Sequence, residues 1–303
     1  MDLTPDPFPL GKGSVASGAV VAGVDGVESR HVRVNGVEQR VLVAGPEGGP
    51  PLVMLHGLGG SADDWLEVMP RLAGQYRVVA PDAPGHGLSE KPAGFVYDRD
   101  GYVRATLGLL DALDVRRAPV LAISGGGSVA VSIALDHAER VSKLVLVDAA
   151  GLGRDVAWSY RATTLPWAPW VFRRSMRSMT PQSLEVFGKS LLHRRDRLPR
   201  GWAERRLQIW STEGAVPAFF GTVQAGMSLR GQRVDHTRRL HEVRQPALIV
   251  WGRQDPVIPV RHGIRAARLM PNARLHIFDD CGHMPIWEYV EEFSGLVAGF
   301  LGE

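Results

Sequence analysis

The sequence contains little cysteine and no long apolar run. Among its 303 residues Cys281 is the one cysteine, which excludes an internal disulfide framework and a multi-cysteine metal site. No stretch approaches the length that a membrane-spanning helix needs, so we expect no membrane insertion. The first residues lack a basic segment followed by a compact apolar run, which argues against a signal peptide and for a cytoplasmic protein.

Acidic residues are scarce in the middle third of the chain. Residues 151–245 hold 17 Lys and Arg against 7 Asp and Glu, whereas the rest of the chain holds 18 against 25. The basic residues are mixed with Trp and Leu at helical spacing and form no recognition motif, so we expect no nucleic-acid partner. The pattern predicts a distinct helical insert, whose arginines either form a solvated face or attract an anionic substrate.

Repeats and low-complexity tracts are also absent, and short apolar runs instead alternate with helical patterns. This alternation predicts an α/β fold with a mostly parallel, roughly eight-stranded sheet that is covered by helices on both faces. We expect a flexible tail over 1–28, a core over 29–150 and 246–303, and the insert over 151–245. Strands are expected at 31–36, 39–43, 51–55, 76–80, 118–123, 144–147, 246–251 and 274–278. Helices are expected at 61–72, 102–113, 127–138, 156–164, 170–179, 181–192, 201–212, 216–227, 260–270 and 286–301.

The residues from Val120 to Ala130 predict an apolar strand that turns through Ser124 into a helix of small residues. A serine hydroxyl becomes a useful nucleophile when it is exposed on a sharp turn and supplied with a base and oxyanion donors. Gly126 provides the bare backbone that such a turn needs, while Ala122 stands where a glycine is usual. Taken alone, the turn also fits a phosphate-binding loop or a helix capped by Ser124.

Three further loops follow predicted parallel strands and would meet Ser124 at the carboxyl edge of the sheet. The H-G-L-G-G loop at 56–60 has a bare backbone that can present an N–H group. The loop at 252–256 offers the carboxylate of Asp255. The loop at 279–285 offers the imidazole of His283. These loops together supply the parts of a nucleophilic mechanism.

The order serine, acid, histidine and the flanking motifs resemble those of the α/β-hydrolase superfamily over roughly residues 30–302. The resemblance implies that Ser124 is the nucleophile, His283 the general base and Asp255 the residue that orients the imidazole. It implies an oxyanion hole made by the backbone N–H groups of Leu58 and Gly125. It also implies that residues 151–245 form a helical cap.

Several other residues compete for these roles. Asp148 ends the preceding strand and is the main alternative acid, and Asp279 and Asp280 lie close to His283 in sequence. We expect His56 and His86 to hydrogen-bond loop backbone, and Cys281 to be a small buried residue. The five tryptophans of the insert either build its own core or line an apolar pocket that faces Ser124.

The resemblance predicts an enzyme that hydrolyses a carboxylic ester of a small to medium apolar molecule through an acyl-enzyme, without a cofactor. One alternative is a carbon–carbon bond hydrolase that acts on ring-cleavage products, because such enzymes share the triad and cap. A second alternative is a non-catalytic ligand-binding protein on the same fold. The expected partner is a small-molecule substrate, and the sequence leaves a homo-oligomer open.

Overall fold

The computed structural model describes the backbone of residues 15–20 and 24–303. Within these ranges, nine strands form one sheet with the order β1-β2-β3-β5-β4-β6-β7-β10-β11, and β8 and β9 form a separate hairpin. The strands are β1 Val15–Val20, β2 Val27–Val34, β3 Val37–Ala44, β4 Pro51–Leu55, β5 Arg77–Pro81, β6 Ala118–Ile123, β7 Val141–Val147, β8 Met227–Ser228, β9 Gly231–Gln232, β10 Ala247–Gly252 and β11 Ala273–Phe278.

The central strands of the sheet are parallel. β5, β4, β6, β7, β10 and β11 pair in parallel, while β1, β2 and β3 form an antiparallel edge. The turn between β2 and β3 uses Asn35 and Gly36, both with positive φ, as a two-residue hairpin of this hand requires. The prediction of a mostly parallel α/β sheet is confirmed.

Helices cover both faces of this sheet. Trp65, Met69 and Phe293 belong to the apolar layer on one face, and Leu110, Ile133 and Ala266 to the layer on the other. The helices are α1 Met69–Leu72, α2 Arg99–Ala112, α3 Gly125–Asp136, α4 Trp158–Ala162, α5 Ala168–Met176, α6 Pro181–Ser190, α7 Trp202–Trp210, α8 Ala215–Gly226, α9 Arg261–Leu269, α10 Pro285–Glu288 and α11 Val290–Gly302.

Two predicted helices are interrupted in the structure. The helix expected over 61–72 is a 3₁₀ turn at Ala62–Trp65 followed by α1, which begins with Pro70 in its first turn. Proline lacks the N–H group that a continuous helix would need there. The helix expected over 286–301 divides at Tyr289, whose φ of −134° lies outside the helical region.

The N-terminal boundary also differs from the prediction. Part of the expected tail over 1–28, residues 1–14 and 21–23, lies outside the described residues. Inside them, β1 pairs with β2 in antiparallel fashion, and β2 begins at Val27. Residues 15–20 therefore add a ninth strand to the expected eight, at the antiparallel edge of the sheet.

The insert, residues 151–245, leaves the sheet after β7 and returns at β10. It holds the five short helices α4 to α8 and the β8–β9 hairpin, which the sequence pattern did not predict. Since the carboxyl ends of β4, β6, β7, β10 and β11 share one edge, the loops after these strands and the insert meet there. The candidate site residues on these loops therefore lie at this edge of the sheet.

Candidate active site

Ser124 stands at a sharp turn between β6 and α3. Its φ of +50° and ψ of −120° are unusual for a residue with a side chain. Its N–H group donates to the carbonyl of Val147 at 2.9 Å, and its own carbonyl accepts from the N–H groups of Gly127 at 2.9 Å and Ala150 at 2.8 Å. These three bonds hold the backbone in a conformation that it would not otherwise keep.

Bare backbone surrounds this turn. A Cβ atom on Gly126 would lie 2.6 Å from the carbonyl oxygens of Leu55 and His56, and one on Gly57 would lie 2.9 Å from the Cβ of Ser124. The loop after β4 can therefore pack directly against the serine. Ala122 is accommodated within β6, where it is buried and pairs with β4 and β7.

The two expected oxyanion donors lie side by side. Gly125 begins α3, and the first N–H groups of a helix have no intrahelical acceptor. A Cβ atom on Gly125 would lie 3.1 Å from the backbone nitrogen of Leu58, so a side chain here would press on that amide. Both residues line the cavity that contains Ser124.

The structure brings His283 and Asp255 together. His283 Nδ1 lies 2.9 Å from Asp255 Oδ2, and their side chains are 6% and 0% exposed. The other carboxylate oxygen of Asp255 accepts from the N–H groups of Val257 at 2.7 Å and Ile258 at 3.0 Å. The backbone N–H of His283 donates to the carbonyl of Leu191, which ties the histidine loop to the insert.

Asp148, the alternative acid, lies beside this pair without being the hydrogen-bond partner of His283. Its Oδ1 accepts from the N–H of Gly252 at 3.0 Å, and among the described atoms its buried Oδ2 has no partner. Burial and the neighbouring Asp255 raise the pKa of the Asp148 carboxyl well above its usual range. The direction of this shift favours the protonated form of the Asp148 carboxyl.

Asp148, Asp255 and His283 also have ligand atoms within 4.8 Å of one another, a distance that a bound metal ion could bridge. Asp255 already accepts from His283 and from two backbone amides. A metal ligand must be deprotonated, and the raised pKa of the Asp148 carboxyl disfavours that form. We therefore interpret the group as a proton-sharing network.

The remaining candidate acids and bases make other contacts. His56 bonds loop backbone through both ring nitrogens, to the Gly57 carbonyl and the Ala83 amide. Burial lowers the pKa of His86 to about 3, which removes it as a base near neutral pH. Asp279 and Asp280 are exposed and pair with Arg253 and His193. Burial raises the pKa of the Cys281 thiol, which therefore stays protonated.

Glu288 holds the loop that carries His283, and this role was not predicted from the sequence. Its carboxylate accepts from the N–H groups of Gly282 at 2.7 Å and Arg194 at 2.6 Å. The side chain is buried, and this burial raises its pKa. An acidic residue five positions after His283 within an otherwise apolar run was the available signal. The contact joins the insert to the loop that carries the imidazole.

A cavity of about 620 Å³ connects the insert with these loops. Ser124, His283, Leu58 and Gly125 line it from the sheet edge. Aromatic side chains from the insert line it opposite, among them Phe172, Trp202, Trp210 and Phe219. Two of the five insert tryptophans therefore line a pocket that contains Ser124, as one of the two alternatives predicted. The other three, Trp158, Trp167 and Trp170, are 57–68% exposed and follow neither alternative.

One buried cation of the insert reaches the cavity wall. Arg206 donates through Nη2 to Asp64 Oδ1 at 2.6 Å and through Nη1 to the carbonyl of Gly59. Asp64 also accepts from the N–H of Ser61 at 3.1 Å, and its carbonyl accepts from Trp287 Nε1 at 2.8 Å. Arg206 is thus bonded one residue away from the Leu58 amide. The sequence analysis did not single out either member of this ion pair.

The protonated state of Asp148 can be tested through stability. Because its pKa is raised in the folded protein, the carboxyl contributes most to stability below about pH 4. That contribution falls as the pH rises toward the folded pKa, by at most about 1.4 kcal/mol for each pH unit. Asp148→Asn keeps the acceptor for Gly252 but has no such dependence. The free energy of unfolding of the native protein relative to the variant should therefore decline above pH 4, and a constant difference would contradict this assignment.

The sequence and the fold of this chain match those of known hydrolases. A profile of the alpha/beta hydrolase fold matches residues 50–289. The 2-hydroxymuconate semialdehyde hydrolase of Pseudomonas sp. (strain CF600) is 33% identical over 84% of this chain and 88% of its own length. A meta-cleavage product hydrolase from Pseudomonas fluorescens IP01 has a TM-score of 0.76 at 26% identity, covering 90% of this chain and 97% of its own. A bacterial membrane phospholipase A has a TM-score of 0.77 at 28% identity, covering 92% and 87%. The chain belongs to the alpha/beta hydrolase fold family and is a hydrolase.

Proposed function

We propose that this protein hydrolyses a carbon–carbon bond next to a ketone in a ring-cleavage product, a vinylogous diketone acid. The similarity to a meta-cleavage product hydrolase and to a 2-hydroxymuconate semialdehyde hydrolase, over 90% and 84% of this chain, supports the proposal. This reverses the order of the two functions expected from the sequence, where the ester hydrolase came first. The observation that carries the proposal is the cavity that joins Ser124 and His283 to a buried arginine of the insert.

In this proposal, Ser124 Oγ attacks the ketone carbon, and His283 Nε2 accepts the serine proton. Asp255 keeps the proton of His283 on Nδ1 and stabilises the imidazolium that forms. The developing oxyanion accepts from the N–H groups of Leu58 and Gly125, each worth about 3 kcal/mol of barrier. The raised pKa of Asp148 favours its protonated form, which leaves Asp255 as the charged partner of His283.

Cleavage of a carbon–carbon bond leaves an electron pair on carbon, which must be stabilised, whereas an ester leaves the pair on oxygen. When the carbon–carbon bond breaks, its electron pair must be delocalised into the conjugated keto acid, and His283 then returns the proton to that carbon. The acyl-enzyme bond between Ser124 Oγ and the carbonyl carbon is next cleaved by water. The serine regains its proton, and the products are two acids.

Arg206 is the group that would hold the carboxylate of such a substrate. Arg99 and Arg206 are the arginines that line the cavity within the described part of the chain, and Arg99 is paired with Asp100 near the surface. The side chain of Arg206 is 6% exposed, so a carboxylate bound to it would be shielded from water. The substrate would have to share Arg206 with Asp64.

The same ion pair favours a second candidate, hydrolysis of an apolar carboxylic ester. Asp64 already compensates the charge of Arg206 at 2.6 Å, which suits a substrate without a carboxylate. Most of the cavity wall is apolar, and the phospholipase A is 28% identical to this chain. The triad would act in the same way, with an alcohol as the leaving group.

Three substitutions test the roles of the triad. Ser124→Ala should abolish turnover without unfolding the protein, because the residue supplies chemistry and little packing. Asp255→Asn should lower kcat by about ten thousandfold through the wrong histidine tautomer. Asp148→Asn should leave kcat near the native value, since His283 is bonded to Asp255. Steady-state kinetics, with circular dichroism as the folding control, decide this, and a loss in Asp148→Asn that matches Asp255→Asn would reassign the acid.

The substrate class is tested with 2-hydroxy-6-oxo-6-phenylhexa-2,4-dienoate, which carries the ketone, beside p-nitrophenyl esters of increasing chain length. Carbon–carbon hydrolysis predicts loss of the dienolate absorbance with a higher kcat/KM than for any of the esters. Turnover of the esters alone would favour the second candidate and overturn the first.

The carboxylate site is tested by Arg206→Met, with Arg205→Met on the same helix as the matched control. A bond to a charged group contributes about 1.5–3 kcal/mol, so kcat/KM for the dienoate should fall roughly tenfold to a hundredfold in Arg206→Met. A neutral ester should be affected much less, and the control should change neither. If both substrates lose equally, Arg206 acts through Gly59 and Asp64, and the carboxylate site is wrong.

A further inference from the structure

The insert presents an apolar and basic surface around the opening of the cavity. Most residues that line the cavity are buried or half-buried. The exposed ones are Ser159, Ser175, Ser178, Ser183 and Phe187, and all of them come from residues 158–187. The cavity therefore opens to solvent between α4, α5 and α6.

Large apolar side chains are exposed on the segment that carries this opening. Of nine such side chains among the described residues, six come from residues 158–187. Apolar patches of this kind mark interaction sites on proteins that otherwise bury such groups. We call this group and the nearby arginines the mouth surface; it comprises Trp158, Trp167, Trp170, Val171, Val186, Phe187, Arg173, Arg174 and Arg177.

The charge of the mouth surface has one sign. Residues 156–184 contain four arginines and no aspartate or glutamate. Arg173, Arg174 and Arg177 are exposed and form no salt bridge with any described residue. Arg173 and Arg174 lie in the last turn of α5, where the helix dipole favours a cation. The dipole does not explain the exposed tryptophans beside them.

Helix α5 carries both features on its outer side. Ala168 and Phe172 face inward, to the protein and the cavity, whereas Trp170, Val171 and Arg173 are exposed. Tryptophan prefers the headgroup level, and arginine binds anionic headgroups.

We propose that the mouth surface binds an anionic lipid surface, so that the cavity opens toward the membrane. A second copy of this chain fits less well, because the arginines of two copies would face each other across a two-fold axis. A nucleic acid would leave Val171, Val186 and Phe187 without an apolar partner. No described helix is long and apolar enough to cross a membrane, so the binding is peripheral.

The test is co-sedimentation of the whole protein with vesicles of phosphatidylcholine alone or mixed with phosphatidylglycerol. Binding should require phosphatidylglycerol and weaken as salt is added, because exposed charges are screened. Each basic residue near an anionic surface contributes measurably, so Arg173→Ala/Arg174→Ala should lower the binding constant by about thirtyfold. Trp167→Ser/Trp170→Ser should also weaken binding, and its residual binding should remain sensitive to salt.

The matched control is Arg116→Ala/Arg117→Ala. These two arginines are exposed but precede β6, at the opposite edge of the sheet from Ser124. The control should bind like the native protein, and all variants should hydrolyse a soluble p-nitrophenyl ester at the native rate without vesicles. Vesicle binding is measured without turnover. Failure of this proposal can therefore be distinguished from failure of the proposed function.

Three results would overturn the proposal. One is no binding to anionic vesicles at low salt. Another is equal loss of binding in the Arg173/Arg174 and Arg116/Arg117 variants, which would reflect net charge alone. The third is a dimer by light scattering that the Trp167/Trp170 variant dissociates, which would assign the mouth surface to a second copy of the chain.

Discussion

The strained backbone of Ser124 is the constraint on which the rest of the site depends. A positive φ at a serine persists because three hydrogen bonds from β7, α3 and the following loop fix its N–H and carbonyl groups. Since β7 and β10 are paired, the same strands also place Asp148 and the loop of Asp255. The sheet therefore positions Ser124 and Asp255, the proposed nucleophile and acid, as one unit.

The insert holds the other parts of the site. Leu191 binds the backbone of His283, Arg194 binds Glu288, and Arg206 binds Asp64 and the loop of Leu58. Each contact links the insert to a segment that follows a strand of the sheet. The insert therefore closes the cavity and also fixes the loops that carry the proposed base and a proposed oxyanion donor. On this proposal, a substitution in the insert alters turnover without touching substrate.

The fold and the candidate triad could be predicted because they depend on local patterns. Strand and helix periodicity place Ser124, Asp255 and His283 at one edge, and their motifs limit the roles. The resemblance favours Asp255 over Asp148, and the structure adds the contact between Asp255 and His283, which no local pattern gives because both acids follow neighbouring parallel strands. Asp64 and Arg206 are 142 positions apart, and no local signal joins them. The exposure of Trp158, Trp167 and Trp170 could not be predicted either. Tryptophans at helical spacing are equally compatible with a buried core of the insert.

The central claim is that Ser124 is a nucleophile activated by His283. The most direct measurement is labelling with a fluorophosphonate, followed by mass spectrometry of the peptides. The account predicts one label on Ser124, loss of activity in proportion to labelling, and much slower labelling in Asp255→Asn. A label on another residue of the inactivated enzyme, or full activity with Ser124 labelled, would contradict it.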